Sequence, residues 1–434
     1  VNMANLFKTT IWTYIYMQCM YLCIAQYIPV QIGSFPVQNP GFLNIYSKAN
    51  YSERTEKYDL LISTFNANFL TNSDSAQIVR GVGKYFGSFS SVRPEVLTME
   101  VKWPNEPSGV PEYIFGKQMV AVPSGFLVPF KTDGAIKLVD ISGNKIGQPV
   151  QVTAGDSSGS WFYHRVIWHD MDKDGDMDIV TCRAREPIIP FGFGRKDQEL
   201  LWLENPSNNI SSPWKQHVLA HGPDVYFQYT SLTTTGGPKD CIIVSQFFTK
   251  NLTVFWTTDP NENWSDASKV MSREIDGTIG AAFEVVVQDL NKDGRLDLLV
   301  VSNGNNGSVV AYEIPDDFRS GTFMKHVLAT GFTPRHPGTG KGSPGAAFTL
   351  RPKTNDTTTK PIIVVPGDDD GAAYYLTPRS QSTTDWSYLR TKFYDEGEGI
   401  VGAITHADIN GDGFEELFVP AYTKNMVLVY TFSR

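Results

Sequence analysis

Cysteine is scarce in this chain, with four in 434 residues, and charge is thin, with Asp, Glu, Lys and Arg making up 19 %. No cluster of basic residues stands anywhere in it, so the electrostatic footprint of a nucleic-acid binder is missing. Also missing are a glycine-rich phosphate loop, the serine elbow of the α/β-hydrolases and the Cys/His spacing of a zinc site. Those chemistries drop out. No Pro/Gly/Ser-rich linker and no run of one charge divides the sequence, so a single domain is expected despite a length that ordinarily holds two or three. With 41 % hydrophobic residues and evenly spread charge, disorder is excluded as well.

What is present is a repeat. Asp170, Asp172, Asp174 and Asp178 frame an acidic loop with Gly175 at its sixth position. Asp289, Asn291, Asp293 and Asp297 with Gly294, and Asp408, Asn410, Asp412 and Glu416 with Gly413, repeat it, each loop starting 119 residues after the last. A hard cation such as Ca²⁺ takes six to eight oxygen ligands, and positions 1, 3, 5 and 9 of such a loop supply side chains while position 7 supplies a carbonyl. Position 7 is held by Asp176, Arg295 and Phe414, residues of unlike chemistry, as a carbonyl ligand permits. Three Ca²⁺ sites are expected. Short apolar, β-branched runs follow the loops (residues 179–182, 298–301 and 417–420), and the helix signals of an EF-hand are absent, so each loop joins two strands.

Half of 119 is about 59, and equivalent strands without the acidic loop recur at that half-period, near residues 58, 117, 240 and 361. Together with the three loop-bearing copies they make seven units. Within a unit an aromatic-rich strand, a polar turn and a Trp or His strand follow, as in residues 200–206 with 214–219, 253–256 with Trp264, and 309–312 with 326–328. Seven units of about four strands describe an all-β fold, a seven-bladed β-propeller. The last unit runs out on its third strand, so residues 29–33 or 42–46 are expected to supply the fourth and close the ring.

The formal charge of −9 does not require a basic partner, because ten carboxylates stand at side-chain ligand positions of the loops and three Ca²⁺ would return six charges. Residues 1–25 read as a signal peptide: Lys8, an apolar stretch over 9–24, and Ala25 in a small-x-small cleavage site before Gln26. A signal anchor is the rival reading, because residues 9–30 approach the length of a bilayer span. With cleavage, the propeller occupies residues 26–434 and the protein is secreted with no membrane span. Sequons at Asn50, Asn209, Asn251, Asn263, Asn306 and Asn355 suit surface glycans. Cys19 and Cys23 leave with the leader. Cys182 and Cys241 lie on equivalent strands of neighbouring units but at offset positions, which favours two buried thiols over a disulfide.

The loop-and-strand unit resembles the FG-GAP/VCBS repeat, over nearly all of residues 26–434 and at every ligand position, with Glu416 in place of Asp. That family includes the integrin α-subunit head, propeller lectins and propeller-based polysaccharide lyases and sugar dehydratases. The resemblance therefore implies the fold and the calcium, and does not choose among adhesion, sugar binding and catalysis. The Phe-Gly and Gly-Ala-Pro elements of integrin repeats are not evident.

Function is expected where loops lead into the innermost strands, at residues 157–164, 221–226, 333–338 and 395–399. They offer His164, His221, Tyr226, Arg335, His336, Glu396 and Glu398 as ligand-binding candidates. Such a ring could hold a sugar by stacking and hydrogen bonds, or abstract a proton beside a uronate. Trp161 and Tyr226 also read as packing, His217 and His326 as repeat-structural, and residues 368–370 as a solvated turn. The sequence thus supports a carbohydrate- or extracellular-protein-binding module, with a sugar-acting carbon–oxygen lyase as the alternative and a structural matrix component as a third reading. It leaves oligomeric state open.

Overall fold

The computed structural model describes residues 27–66, 73–128, 131–154, 161–185, 197–207, 209–210, 213–338 and 340–433. The leader, its two cysteines and residues 157–160 of one expected mouth segment lie outside them. No helix among the described residues is long and apolar enough to cross a membrane.

Among the described residues, twenty-eight strands form seven four-stranded antiparallel sheets. Blade 1 holds β2 (Pro40–Ser47), β3 (Tyr58–Thr64), β4 (Ser75–Val79) and β5 (Glu95–Thr98). Blade 2 holds β6 (Ser108–Val110), β7 (Met119–Pro123), β8 (Ile136–Asp140) and β9 (Val150–Gln151). Blade 3 holds β10 (Phe162–His169), β11 (Asp178–Arg185), β12 (Asp197–Glu204) and β13 (Lys215–His221), and blade 4 holds β14 (Tyr226–Leu232), β15 (Lys239–Gln246), β16 (Asn251–Thr257) and β17 (Val270–Asp276). Blade 5 holds β18 (Ala281–Gln288), β19 (Asp297–Asn303), β20 (Gly307–Glu313) and β21 (Met324–Phe332), and blade 6 holds β22 (Phe348–Leu350), β23 (Ile362–Pro366), β24 (Ala372–Pro378) and β25 (Tyr388–Asp395). Blade 7 holds β26 (Thr405–Ala407), β27 (Glu416–Ala421) and β28 (Met426–Thr431), and its outer strand is β1 (Val30–Pro36), paired antiparallel with β28. Of the two closing segments expected, residues 29–33 are the one used. Residues 42–46 instead form the innermost strand of blade 1.

The second strand of each blade is a nearly continuous apolar run because both of its faces are covered, one by each neighbouring blade. β11 shows the alternation: Ile179 packs with blade 2, and Val180 and Cys182 pack with blade 4. The apolar core is accordingly divided into seven clusters, one per blade interface. Cys182 faces the interface of blades 3 and 4, whereas Cys241 faces that of blades 4 and 5, and both are free thiols. His217 and His326 occupy matching places, stacked 4.1 Å from Trp202 and 4.4 Å from Trp386 and bonded to Glu204 and Glu313. Trp264 is a correction: it is fully buried in the connection before β17 rather than on a strand.

Strands alternate in direction, so connections between first and second strands share one face of the ring with those between third and fourth. Connections between second and third strands, and from one blade to the next, share the other face. The acidic loops therefore lie on one face and the expected mouth on the opposite face.

Candidate functional site

Each acidic loop turns on a left-handed glycine at its sixth position, with φ of +99° at Gly175, +89° at Gly294 and +88° at Gly413. In all three, the first Asp accepts from that glycine's N–H: Asp170 at 3.2 Å, Asp289 at 3.1 Å and Asp408 at 3.2 Å. The third residue likewise accepts from the fifth residue's N–H, at 3.2 Å for Asp172 and 3.0 Å for Asn291 and Asn410. In the first loop, carboxylate oxygens of Asp170, Asp172 and Asp174 lie within 4.8 Å of one another, and Asp170 Oδ1 is buried without a hydrogen-bond partner. That oxygen and its two neighbours fit a hard cation. The second and third loops are less acidic, and Asn291 and Asn410 donate to Asp293 and Asp412 at 3.2 and 3.1 Å.

Position 9 plays a different part from the other side-chain positions. Asp178, Asp297 and Glu416 are buried and turned inward, each accepting from the N–H of the loop's second residue at 2.9, 2.9 and 3.0 Å. Burial, opposed in part by those N–H groups, raises Asp178 and Asp297 to about 7 and Glu416 to about 8. Position 7 presents no common side chain: Arg295 turns away to pair with Asp316 at 2.7 Å. Each loop also docks on another blade. Asn263 of blade 4 donates to the Asp172 carbonyl, Lys292 donates to the Thr357 carbonyl of blade 6, and Arg54 of blade 1 reaches Asp408 at 3.3 Å.

On the opposite face, the innermost strands surround a central channel. A β-bulge in each of β2, β10 and β18 interrupts the register at Pro40/Phe42, Tyr163/Val166 and Ala282/Glu284. Bulges re-aim side chains, and here the residues at them meet at the axis. The His164 ring lies 5.0 Å from Phe42, 4.4 Å from Tyr226 and 6.2 Å from Phe283, rings from blades 1, 4 and 5. Only the axis is shared by all four blades. Arg165 lies 4.2 Å from the Tyr226 ring, bonds Glu106 at 2.9 Å and grips Glu284 with two bonds of 3.0 and 2.8 Å. Desolvation at this depth, with Arg165 adjacent, lowers His164 to about 3 and keeps it neutral. Burial raises Glu284 to about 7 even against Arg165, and pushes the Tyr226 phenol well above its usual value.

Around the mouth runs an arc of aromatic rings. It passes from Tyr422 to Phe65 (5.7 Å), Trp103 (4.3 Å, stacked), Phe126 (5.2 Å, stacked), Phe162 (5.6 Å), Phe248 (6.3 Å), Phe247 (5.2 Å) and Phe283 (5.9 Å). All but Phe162 keep some exposed surface. Buried carboxylates hold the turns that carry them. Asp74, paired with Lys131 at 2.7 Å, accepts the Trp103 N–H at 2.8 Å and the Asn66 N–H at 3.1 Å. Asp224 accepts from Phe247 and Phe248 at 2.8 and 2.7 Å, and burial raises it to about 7. Trp103 itself has φ +49°, an outlier for a bulky side chain.

Blade 6 fills the gap in the arc with charge. Arg335 donates to Asp395 at 2.5 Å and to the Asp370 carbonyl at 2.6 Å, His336 pairs with Glu398, and Lys341 pairs with Asp369 at 2.6 Å. The expected candidates thus separate. His164 and Tyr226 meet at the axis, while Arg335, His336 and Glu398 gather on the rim. His221 does neither: it is exposed at the outer strand β13, 3.7 Å from Glu199, because it closes a blade rather than opening one. Glu396 is a turn clamp, accepting from the Thr423 and Lys424 N–H groups at 2.8 and 2.9 Å. Trp161 is buried beneath Arg183 and Arg185, at 4.1 and 4.4 Å. Residues 368–370 form a turn but not a solvated one, since Asp370 binds the Tyr374 hydroxyl at 2.9 Å and Asp368 is held by two backbone bonds to Val401. The aromatic arc escaped sequence reading even though part of it recurs: Phe65, Phe126, Phe247 and Tyr422 each follow the second strand of a blade, while Trp103, Phe162 and Phe283 come from other places in their repeats.

No known family profile matches the sequence, so the FG-GAP/VCBS resemblance rests on the loop pattern, and no curated protein matches either. Among solved structures, the chain is similar to the propeller of Dos1, at 10 % identity over 91 % of this chain and 79 % of that one, with a TM-score of 0.45. It is also similar to the NanB sialidase of Streptococcus pneumoniae, at 11 % identity over 92 % of this chain and 69 % of that one, with a TM-score of 0.40.

Proposed function

We propose that this propeller is a calcium-stabilised binding module for carbohydrate, with its ligand surface at the aromatic mouth. The observation that carries the reading is the Phe65–Trp103–Phe126 stack, half-buried and fixed by the buried Asp74–Lys131 pair. Sugars present C–H faces that pack on aromatic rings while their hydroxyls bond to charged and amide groups, and the charged rim of blade 6 adjoins the arc. The left-handed Trp103 is a locally unfavourable conformation that its surroundings enforce, a pattern that concentrates at ligand clamps. The lyase alternative draws no support from the axis, where Tyr226 is a buried phenol too weakly acidic to act as a base at neutral pH and Arg165 is already occupied.

Ca²⁺ would be held by Asp170, Asp172 and Asp174 and the Asp176 carbonyl, with the two weaker copies alike. It would neutralise clustered carboxylates, and an extracellular setting at millimolar calcium suits loops of this kind. Asn50, Asn209, Asn306 and Asn355 are exposed and suit glycan attachment there, whereas the side-chain amides of Asn251 and Asn263 are engaged with Glu274 and Asp172. A glycan array probed with the full chain in calcium tests the reading, with Trp103→Ala as the control. Glycan signal lost in that variant at an unchanged melting temperature supports it. Absence of any glycan signal from the wild type refutes it.

A further inference from the structure

The channel floor carries more carboxylate than cation. Glu106 and Glu284 share the single guanidinium of Arg165, so one of the two carboxyl groups has no cation of its own. Asp368, on the turn beside the mouth, makes no ion pair among the described residues; its carboxylate has only the Asn303 amide at 3.5 Å. It is held in a left-handed conformation, φ +55°, by its two bonds to Val401, and burial, with Asp369 beside it, raises its carboxyl to about 8, so it takes up full charge only when a cation comes within reach. The cations nearby are spoken for: Arg335 and Lys392 both bind Asp395, and Lys341 binds Asp369. A second and separate feature is His164, 3 % exposed at the axis, whose Nδ1 meets no partner. A neutral imidazole has one nitrogen that accepts. With hydrogen on Nε2, Nδ1 is an unmet acceptor on an imidazole set among the rings of Phe42, Tyr226 and Phe283.

Surplus carboxylate, an unmet acceptor and aromatic faces are together complementary to one kind of group: a cation that also donates hydrogen bonds. We infer that the mouth selects a protonated primary amine, presented by an amino sugar with a free amino group, with Asp368 and Glu106 as its counter-charges. The inference rests on the carbohydrate reading for the rest of the ligand. It does not extend to uronates, which the same carboxylates would repel.

Calorimetric titration of the full chain in millimolar calcium tests it, using a glucosamine tetramer, its fully N-acetylated counterpart and a lysine-containing peptide. The free-amine tetramer is expected to bind at least tenfold tighter than the acetylated one. Asp368→Asn and Glu106→Gln should each erase that ratio while leaving the acetylated affinity in place, and thermal melts identify a variant that has failed to fold. Equal affinity for the two tetramers, or losses in the variants that fall equally on both, overturns the inference and leaves carbohydrate binding standing. Binding of the lysine peptide without either sugar would keep the amine and remove the carbohydrate. Silence from all three removes both.

Discussion

Arg165 and Glu284 stand 119 residues apart, at the same position of blades 3 and 5, and meet across the channel in a two-bond ion pair of 3.0 and 2.8 Å. The repeat that spaces the acidic loops thus also spaces this pair, one copy having become basic and the other acidic. In blade 7 the same position is Ala403, whose backbone bonds to Gly41 and Leu43 of blade 1 instead. Equivalent positions have been divided between charge, counter-charge and ring closure.

Removing one partner of that pair should be costly. Arg165→Met leaves the buried Glu284 beside the partly buried Glu106 without a cation, a situation that costs about 3–5 kcal/mol. Urea denaturation should show a loss of that order, and the double variant Arg165→Met/Glu284→Gln should recover most of it. Additive losses would mean that the pair contributes nothing as a pair.

His164 makes the axis sensitive to acid. Its folded value, lowered by burial and by Arg165 to about 3, lies below the unfolded value of 6.5, so the unfolded chain binds the extra proton as pH falls. The stability it supports is complete above 6.5 and is lost progressively down to 3, by about 2 kcal/mol at pH 5. His164→Phe should flatten the stability profile between pH 6.5 and 5. A profile unchanged by that substitution would show that the imidazole is hydrated or paired in solution.

Calcium should raise stability by mass action, by about 2.7 kcal/mol per site at a hundredfold excess over Kd. A chelator should lower the melting temperature, and Asp174→Ala should reduce that response while Asp176→Ala leaves it largely intact, because position 7 contributes a carbonyl. Asp170→Ala should also weaken the docking of blade 3 on Asn263. A melt indifferent to chelator would contradict the proposed sites.

Ring closure depends on Phe35, fully buried from β1 into the interface of blades 7 and 1. Phe35→Ala should cost about 3–5 kcal/mol. Proteolysis would then be expected to begin at β1, leaving β28 as an unpaired edge and promoting association of the cut chain. Loss of stability with no change in the first cleavage site would place the weak point elsewhere.

Periodicity was enough to count the blades, place the second strand of each and locate three acidic loops, because these features recur at fixed spacing and answer to local rules of turn and strand. Burial on both faces made those strands legible as continuous apolar runs. The closing strand was legible only as a pair of choices: residues 29–33 and 42–46 are both strand-like, and only the arrangement of the ring decides which one lies beside β28. The site was least legible. His164 and Tyr226 were marked for their chemistry, but their burial at the axis depends on a bulge and on rings from three other blades. Glu396 read as a ligand group and His221 as a mouth residue, yet one caps a turn and the other faces outward. Phe126 and Phe247 each follow the second strand of a blade and so recur with the repeat, but Trp103 lies between blades 1 and 2 and no spacing links it to them. They become one surface because the ring brings connections from distant segments to a single face, where contact is set by geometry around the axis rather than by distance along the chain.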